Sequence, residues 1–217
     1  MSSNKTIFFD LDDTLINTSQ RHYQVYCDIT KILDLEYPID KDEFWKLKRD
    51  GISTVKILNE KDEGIIEKFS KLWIDKIEEK NYLFYDTLLP GTLCLLSNLK
   101  EERLILLTMR SNRGNLIWEI KKLGLNDYFK SILSCSPLQF IDKTVPIINY
   151  FNNENSITNE NSAIVGDSEI DIITGKKLNM TTISVSYGIR SEDILLQLKP
   201  DYCLKDITEI IDIINGI

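Results

Sequence analysis

Short, wholly apolar runs alternate along the chain with stretches whose apolar residues recur at helical spacing. Thr6–Phe9 reads as a buried strand that ends at Asp10, and Leu104–Leu107 as a second that ends at Thr108. Ile132–Leu133, Ala163–Val165 and Thr182–Val185 are three further strand candidates. Runs this short and this apolar suit strands covered on both faces. Between them lie the amphipathic stretches Thr92–Glu101, Asn112–Leu123, Thr144–Asn152 and Ile170–Leu178, followed by two late helices over Ser191–Leu198 and Ile207–Ile214. The alternation predicts βαβ units, hence an α/β fold with a parallel sheet flanked by helices.

One region breaks the pattern. From about Ser19 to Tyr85 the apolar spacing is helical throughout, as in Ile65, Ile66, Phe69, Leu72, Trp73 and Ile77, and no strand stands out. Pro38 and Gly51-Ile52-Ser53 punctuate it as helix boundaries, and Pro90-Gly91 marks the return to the alternating pattern. A helical module over residues 18–86 is therefore expected inside a core made of residues 1–17 and 87–217. Trp45, Phe69 and Trp73 read as the interior of that module. The Asn-rich stretch Asn152–Asn161 reads as a polar loop.

Composition narrows the function. With 217 residues the chain can bury roughly 70 % of its unfolded surface without disulfide staples. Its 34 acidic and 26 basic residues leave a formal charge of −8, and the lysines are mixed with acids, as in Lys61 to Lys80. A nucleic-acid binder needs a basic footprint to displace counterions, so a nucleic-acid partner is not expected. Cys27, Cys94, Cys135 and Cys203 are scattered and form no CxxC pattern, which favours reduced thiols over zinc or disulfides. No apolar run reaches the roughly 18–20 residues of a membrane span, and Met1-Ser2-Ser3-Asn4-Lys5 carries no signal-peptide pattern. The expectation is a cytoplasmic enzyme, monomeric or weakly dimeric, acting on a small molecule.

Two acidic clusters carry the chemistry. Phe8-Phe9-Asp10-Leu11-Asp12-Asp13-Thr14 places two carboxylates two residues apart where a strand emerges, and ligands of open α/β sheets bind beyond that rim. Ile164-Val165-Gly166-Asp167-Ser168-Glu169-Ile170-Asp171 does the same at a second strand end. Acids gathered in this way repel one another unless a hard divalent cation with oxygen ligands neutralises them, and Mg²⁺ is the natural choice. Capping of the following helices is the competing structural role. Thr108 at a third strand end and Lys143 at a helix start offer a hydroxyl and a cation, which suit a phosphoryl group.

These segments resemble the motifs of the haloacid dehalogenase superfamily: Asp10-Leu11-Asp12-Asp13-Thr14, then Leu107-Thr108, then Lys143, then Gly166-Asp167-Ser168-Glu169-Ile170-Asp171. Their order matches, Lys143 and Asp167 stand 24 positions apart, and the likeness continues through Gly175-Lys176-Lys177-Leu178-Asn179-Met180 and Tyr187-Gly188. The sequence departs from the pattern at Asp13, where Gly is frequent, at Thr144, where Pro is common, and at Arg110, which many members lack. The resemblance implies a Rossmann-like sheet of order 5-4-1-2-3 and makes the helical module a cap like that of the phosphoglycolate phosphatase and β-phosphoglucomutase branch. It implies a phosphatase: Asp10 as nucleophile, forming an aspartyl phosphate, and Asp12 as general acid and base. Asp10, the Asp12 carbonyl and Asp167 would hold Mg²⁺, with Asp171 and Ser168 behind them. Thr108, Met109, Arg110 and Lys143 would hold the phosphoryl group, and Lys143 would lower the pKa values of Asp10 and Asp167.

Other readings stay open on sequence. A phosphomutase would isomerise its substrate where a phosphatase releases phosphate, and a non-catalytic phosphate-ligand binding protein would keep the fold without turnover. A dehalogenase gives Asp12 no leaving alkoxide to protonate, whereas a phosphonate hydrolase would need a Schiff-base lysine, for which Lys31, Lys46, Lys48 and Lys56 are available. Arg110 is open between a phosphate contact and a surface ion pair. Arg49 is open between a substrate contact and no role, and Asp171 between pairing with Lys143 and capping a helix. His22, the single histidine, reads as a packing residue. Without GxSxG or a Gly-rich nucleotide loop, serine-hydrolase and dinucleotide-dependent readings have no support. Hinges near Asn17–Ser19 and Tyr85–Leu89 would let the module close over the rim.

Overall fold

The computed structural model of the chain describes residues 5–35, 38–154 and 161–216. Of the Asn-rich stretch, residues 155–160 lie outside the described residues. Six parallel strands build the main sheet: β1 (Thr6–Phe9), β4 (Arg103–Thr108), β5 (Ser131–Ser134), β6 (Ser162–Gly166), β7 (Thr181–Val185) and β8 (Tyr202–Leu204). Their spatial order is β5-β4-β1-β6-β7-β8. Counted within this sheet, the first five strands stand in the expected order 5-4-1-2-3. The sixth, β8, was not foreseen: it is a three-residue edge strand, half-buried at two of its positions, and its Tyr202-Cys203-Leu204 run between Asp201 and Lys205 is too short to stand out.

Alternation along the strands explains the layers. Ile7 and Phe9 of β1 join Leu104, Leu106, Val165 and Ile183 in one buried cluster, beneath α6 (Thr92–Asn98), α7 (Arg113–Lys122) and α11 (Glu209–Gly216). Phe8 points the other way and packs with Ile105, Leu107, Ile164, Ile147 and Tyr150, beneath α8 (Thr144–Asn153) and α9 (Glu169–Lys177). Neighbouring residues of one strand thus feed opposite cores, as the period of two requires. The last helix before β8, α10 (Glu192–Gln197), follows β7.

Between β1 and α6 the described residues form five helices: α1 (Ser19–Ile32), α2 (Lys41–Arg49), α3 (Thr54–Ile57), α4 (Glu63–Lys76) and α5 (Lys80–Leu83). Asp40, Ser53 and Asp62 accept hydrogen bonds from backbone N–H groups at the starts of α2, α3 and α4, which satisfies donors a helix start leaves free. These helices bury a cluster of their own, in which Tyr26 stacks on Phe44 and Phe69 on Trp73. The chain enters and leaves this module through β2 (Ile16–Asn17) and β3 (Thr87–Leu88), which pair as a two-residue antiparallel ribbon. The two segments read from sequence as hinges are therefore hydrogen-bonded to each other.

Candidate active site

The sheet order sets the site. β1 lies between β4 and β6, so Asp10 emerges between Thr108 and Asp167. The ladder runs one residue past β1, with the Asp10 N–H donating to the Val165 carbonyl at 2.9 Å. The chain then turns back on itself: Leu15 N–H donates to Leu11 O at 3.0 Å and Asp13 N–H to Ile16 O at 2.8 Å. Asp13 holds that turn at φ 57°, in the left-handed region that glycine and short polar residues tolerate. Its carboxylate accepts from Thr18 N–H (2.9 Å) and Thr18 Oγ1 (2.6 Å), which ties the turn to the start of α1.

Asp10, Asp167 and Asp171 come together as buried carboxylates, each offering an oxygen within 4.8 Å of the others. Lys143, buried at the cap of α8, donates to Asp10 Oδ1 and Asp171 Oδ1, both at 2.6 Å. Ile189 N–H donates to Asp167 Oδ2 at 2.5 Å, and Thr14 Oγ1 to Asp167 Oδ1 at 3.3 Å. Asp171 does both things left open on sequence: besides binding Lys143, it accepts from the N–H (3.2 Å) and Oγ (2.7 Å) of Ser168 at the start of α9. Two glycines make room for this. A Cβ on Gly166 would overlap the Asp171 carboxylate, and one on Gly188 would overlap the Asp167 side chain and the Asp13 carbonyl.

The electrostatics correct one expectation. Lys143 does pull the Asp10 pKa down, but burial outweighs it and Asp171 and Asp12 add to the rise, so Asp10 is pushed up to about 7. Burial, with Asp13 and Asp10 beside it, also drives Asp167 well above the ordinary range. Lys143 loses charge stability to burial and regains more from Asp10 and Asp171, so it stays an ammonium. Three buried carboxylates facing one ammonium are short of positive charge, and their donors are all hard oxygens. That donor set fits a divalent cation such as Mg²⁺.

Asp12 projects differently from Asp10. Its carboxylate receives Arg110 side-on through Nε (2.7 Å) and Nη2 (2.6 Å), and Arg21 of α1 through Nη2 (2.7 Å). Burial would raise its pKa, but Arg110 and Arg21 outweigh burial and hold Asp12 well below the usual carboxylate range. Behind it, Arg21 Nε lies 3.2 Å from Asp86 and Arg110 Nη1 lies 3.0 Å from Glu119. Burial, with Glu119 adding and Arg21 opposing, pushes Asp86 up to about 9. Arg110 is thus buried and engaged with carboxylates, and is not a surface ion pair.

Arg21, Asp86 and Glu119 were not singled out from sequence. A signal existed for two of them: Arg21 precedes Val25 and Ile29 at four-residue steps, and Glu119 sits between Leu116 and Ile120, so each charge lies on a buried helical stripe. Thr108 is buried at the end of β4, and its carbonyl accepts from Cys135 N–H at 3.0 Å. Met109 is half-buried at the edge of a cleft of about 350 Å³ that opens beside Asp12 and Arg110. His22 packs edge-on against Trp45 and Trp73, as a packing residue would. Arg49 donates to the carbonyls of Ser186 (2.7 Å) and Gly188, tying the helical module to the core. Lys48 donates to Thr54 Oγ1 at 3.2 Å, and burial beside Arg190 lowers its pKa to about 8.

The sequence profile described as haloacid dehalogenase-like hydrolase matches residues 7–185. The chain is 25 % identical to the pyrophosphatase PpaX of Halalkalibacterium halodurans over 222 residues, covering 97 % of this chain and 96 % of the relative. It is 24 % identical to the pyrophosphatase PpaX of Oceanobacillus iheyensis over 215 residues, covering 97 % of each. Among solved structures, a haloacid dehalogenase-like family hydrolase of Streptococcus pneumoniae superposes with a TM-score of 0.80 at 20 % identity, covering 98 % of this chain and 99 % of that one. A predicted phosphoglycolate phosphatase of Haemophilus somnus superposes with a TM-score of 0.77 at 20 % identity over the same shares. Among the described residues no helix is long and apolar enough to cross a membrane.

Proposed function

The chain belongs to the haloacid dehalogenase-like hydrolases, and from that premise we propose that it is a Mg²⁺-dependent phosphohydrolase of small phosphomonoesters, acting through an aspartyl phosphate on Asp10. The observation that carries this reading is the meeting of Asp10, Asp167, Asp171 and Lys143 at one rim of the sheet, with Asp12 turned to the cleft beside them. Asp10, the Asp12 carbonyl and Asp167 hold the cation, and Asp171 keeps Lys143 in place. Bound there, Mg²⁺ supplies charge neutralisation for an incoming phosphate.

A carboxylate oxygen of Asp10 attacks phosphorus, and the bond from phosphorus to the ester oxygen breaks. Asp12 delivers a proton to the departing oxygen. It then accepts one from the water that attacks the aspartyl phosphate, which restores Asp10 and frees phosphate. Arg21 and Arg110 hold Asp12 ionised in the free site, the form that serves the second half. The proton for the first half therefore enters with the substrate or from solvent through the cleft. Thr108 and Lys143 orient the transferred group. Residues 18–86 act as a cap, with Asn17–Ser19 and Tyr85–Leu89 as its hinges, and the free cysteines suit a cytoplasmic setting.

The relatives named pyrophosphatase favour a phosphoanhydride as the second reading. Phosphate release from a panel of monoesters and pyrophosphate, with and without Mg²⁺ and beside Asp10→Asn, tests both. Release that depends on Mg²⁺ and on Asp10 is the expected result. Isomerised product without free phosphate would instead make the protein a mutase, and metal binding without turnover would make it a binding protein.

A further inference from the structure

We infer that the leaving group of the substrate is an uncharged, apolar organic moiety, seated in the cleft between α4 and the loop over residues 135–142. The inference rests on the phosphohydrolase reading and names the substrate class within it. The cleft begins at Asp12 and Arg110, where a departing oxygen would stand. Beyond them its walls are Trp73, Ile77, Met109 and Leu138, with the His22 ring, which burial and Arg21 keep neutral. At about 350 Å³ it sits at the small end of ligand cavities, enough for one ring or a short branched chain.

Charge in the cleft points the same way. Its two cations, Arg21 and Arg110, face Asp12, Asp86 and Glu119, so two guanidiniums meet three carboxyl groups. The fourth charged residue of the wall is Glu78, whose two carboxylate oxygens accept from Ser111 N–H (2.8 Å) and Asn112 N–H (2.7 Å). Among the described residues lining the cleft, no cation lacks a carboxylate partner. A second phosphate, as in pyrophosphate, or a carboxylate, as in phosphoglycolate, would enter without a counter-charge and lose its hydration.

The lips add an independent observation. Leu138 is 71 % exposed on the core side and Ile74 is 50 % exposed on the helical side, and both line the cleft. Large apolar side chains left in water on both lips gain by covering an apolar ligand between them.

The test compares kcat/KM for benzyl phosphate, phosphoglycolate, pyrophosphate and acetyl phosphate, in the whole protein with Mg²⁺. Phosphate is a better leaving group than benzyl alkoxide, so intrinsic reactivity works against the inference. We expect benzyl phosphate to exceed both phosphoglycolate and pyrophosphate by about tenfold or more. Leu138→Ser, at an exposed position that the fold does not need, and Trp73→Ala should each lower the ratio of benzyl to acetyl phosphate turnover. Equal or faster turnover of phosphoglycolate or pyrophosphate would overturn the inference, as would an unchanged ratio in both variants. Absence of phosphate from all four compounds would overturn the phosphohydrolase reading itself, and this inference with it.

Discussion

The rim of the sheet and the face of the helical module meet at the same cleft but hold their residues by different means. At the rim, Asp10, Thr108 and Asp167 stand at or just beyond the ends of β1, β4 and β6, so backbone hydrogen bonds across three strands set their spacing. The module holds its place through separate contacts, one of them between backbones, Ser191 N–H to the Arg49 carbonyl at 3.0 Å, and the others through side chains. Arg21 reaches Asp12, Glu78 reaches the N–H groups before α7, and Arg49 reaches the Ser186 and Gly188 carbonyls. Rim residues cannot shift without the sheet, whereas these side-chain contacts can break one at a time. On the proposed function, the first is the part that must be rigid for chemistry and the second is the part that retracts as a cap.

The sharpest way to break this comparison is at Gly166. An alanine there would push Asp171 away and uncouple Lys143 from Asp10, a displacement that costs on the order of 10²-fold in kcat. Phosphate-release kinetics beside a thermal melt would show activity falling far more than stability. A loss of stability that matched the loss of activity would mean that Gly166 serves the fold only.

Core truncations come next. Phe8→Ala and Phe69→Ala should each cost about 3–5 kcal/mol, because both rings are fully buried. Their reach should differ. Hydrogen exchange should rise throughout the sheet for Phe8→Ala, but only over residues 19–83 for Phe69→Ala, whose ring belongs to the separate helical cluster. Matching exchange patterns would show the two regions to be one cooperative unit.

Arg49→Ala removes two hydrogen bonds between module and core, at roughly 1 kcal/mol each. KM should rise several-fold with kcat nearly unchanged, as a weaker closed state predicts. The smallest effect concerns Asp86. Its folded pKa, near 9, lies above its ordinary value, so the folded state binds the extra proton. That contribution is complete below about pH 4 and is lost as pH rises towards 9. Asp86→Asn keeps the neutral form, so the Tm of the variant minus that of the parent should become more positive between pH 5 and pH 9. A difference flat with pH would mean that Asp86 is ionised in the folded protein.

Much of the core was legible in the chain. The five longer strands lie within about a residue of their apolar runs, because strands buried on both faces, as β1, β4, β6 and β7 are, admit little else; the edge strand β5, half-buried throughout, kept only Ile132-Leu133. The acids at Asp10 and Asp167 were visible because each directly follows such a run. Asp13 and Gly188 were legible only as motif positions, since a left-handed turn and a close backbone approach leave no apolar pattern. The β2–β3 ribbon and β8 were missed because two or three residues carry no period.

What the sequence determined by itself is whatever depends on neighbours along the chain: strand and helix placement, the two acidic strand ends, and the helical stretch between them. The tertiary structure decided how charges combine across distance. Arg110 and Arg21, 89 positions apart, close on one carboxylate at Asp12, and burial overrides Lys143 in setting Asp10. Both outcomes follow from desolvation and from three-dimensional proximity, which act through space and leave no mark on the order of residues.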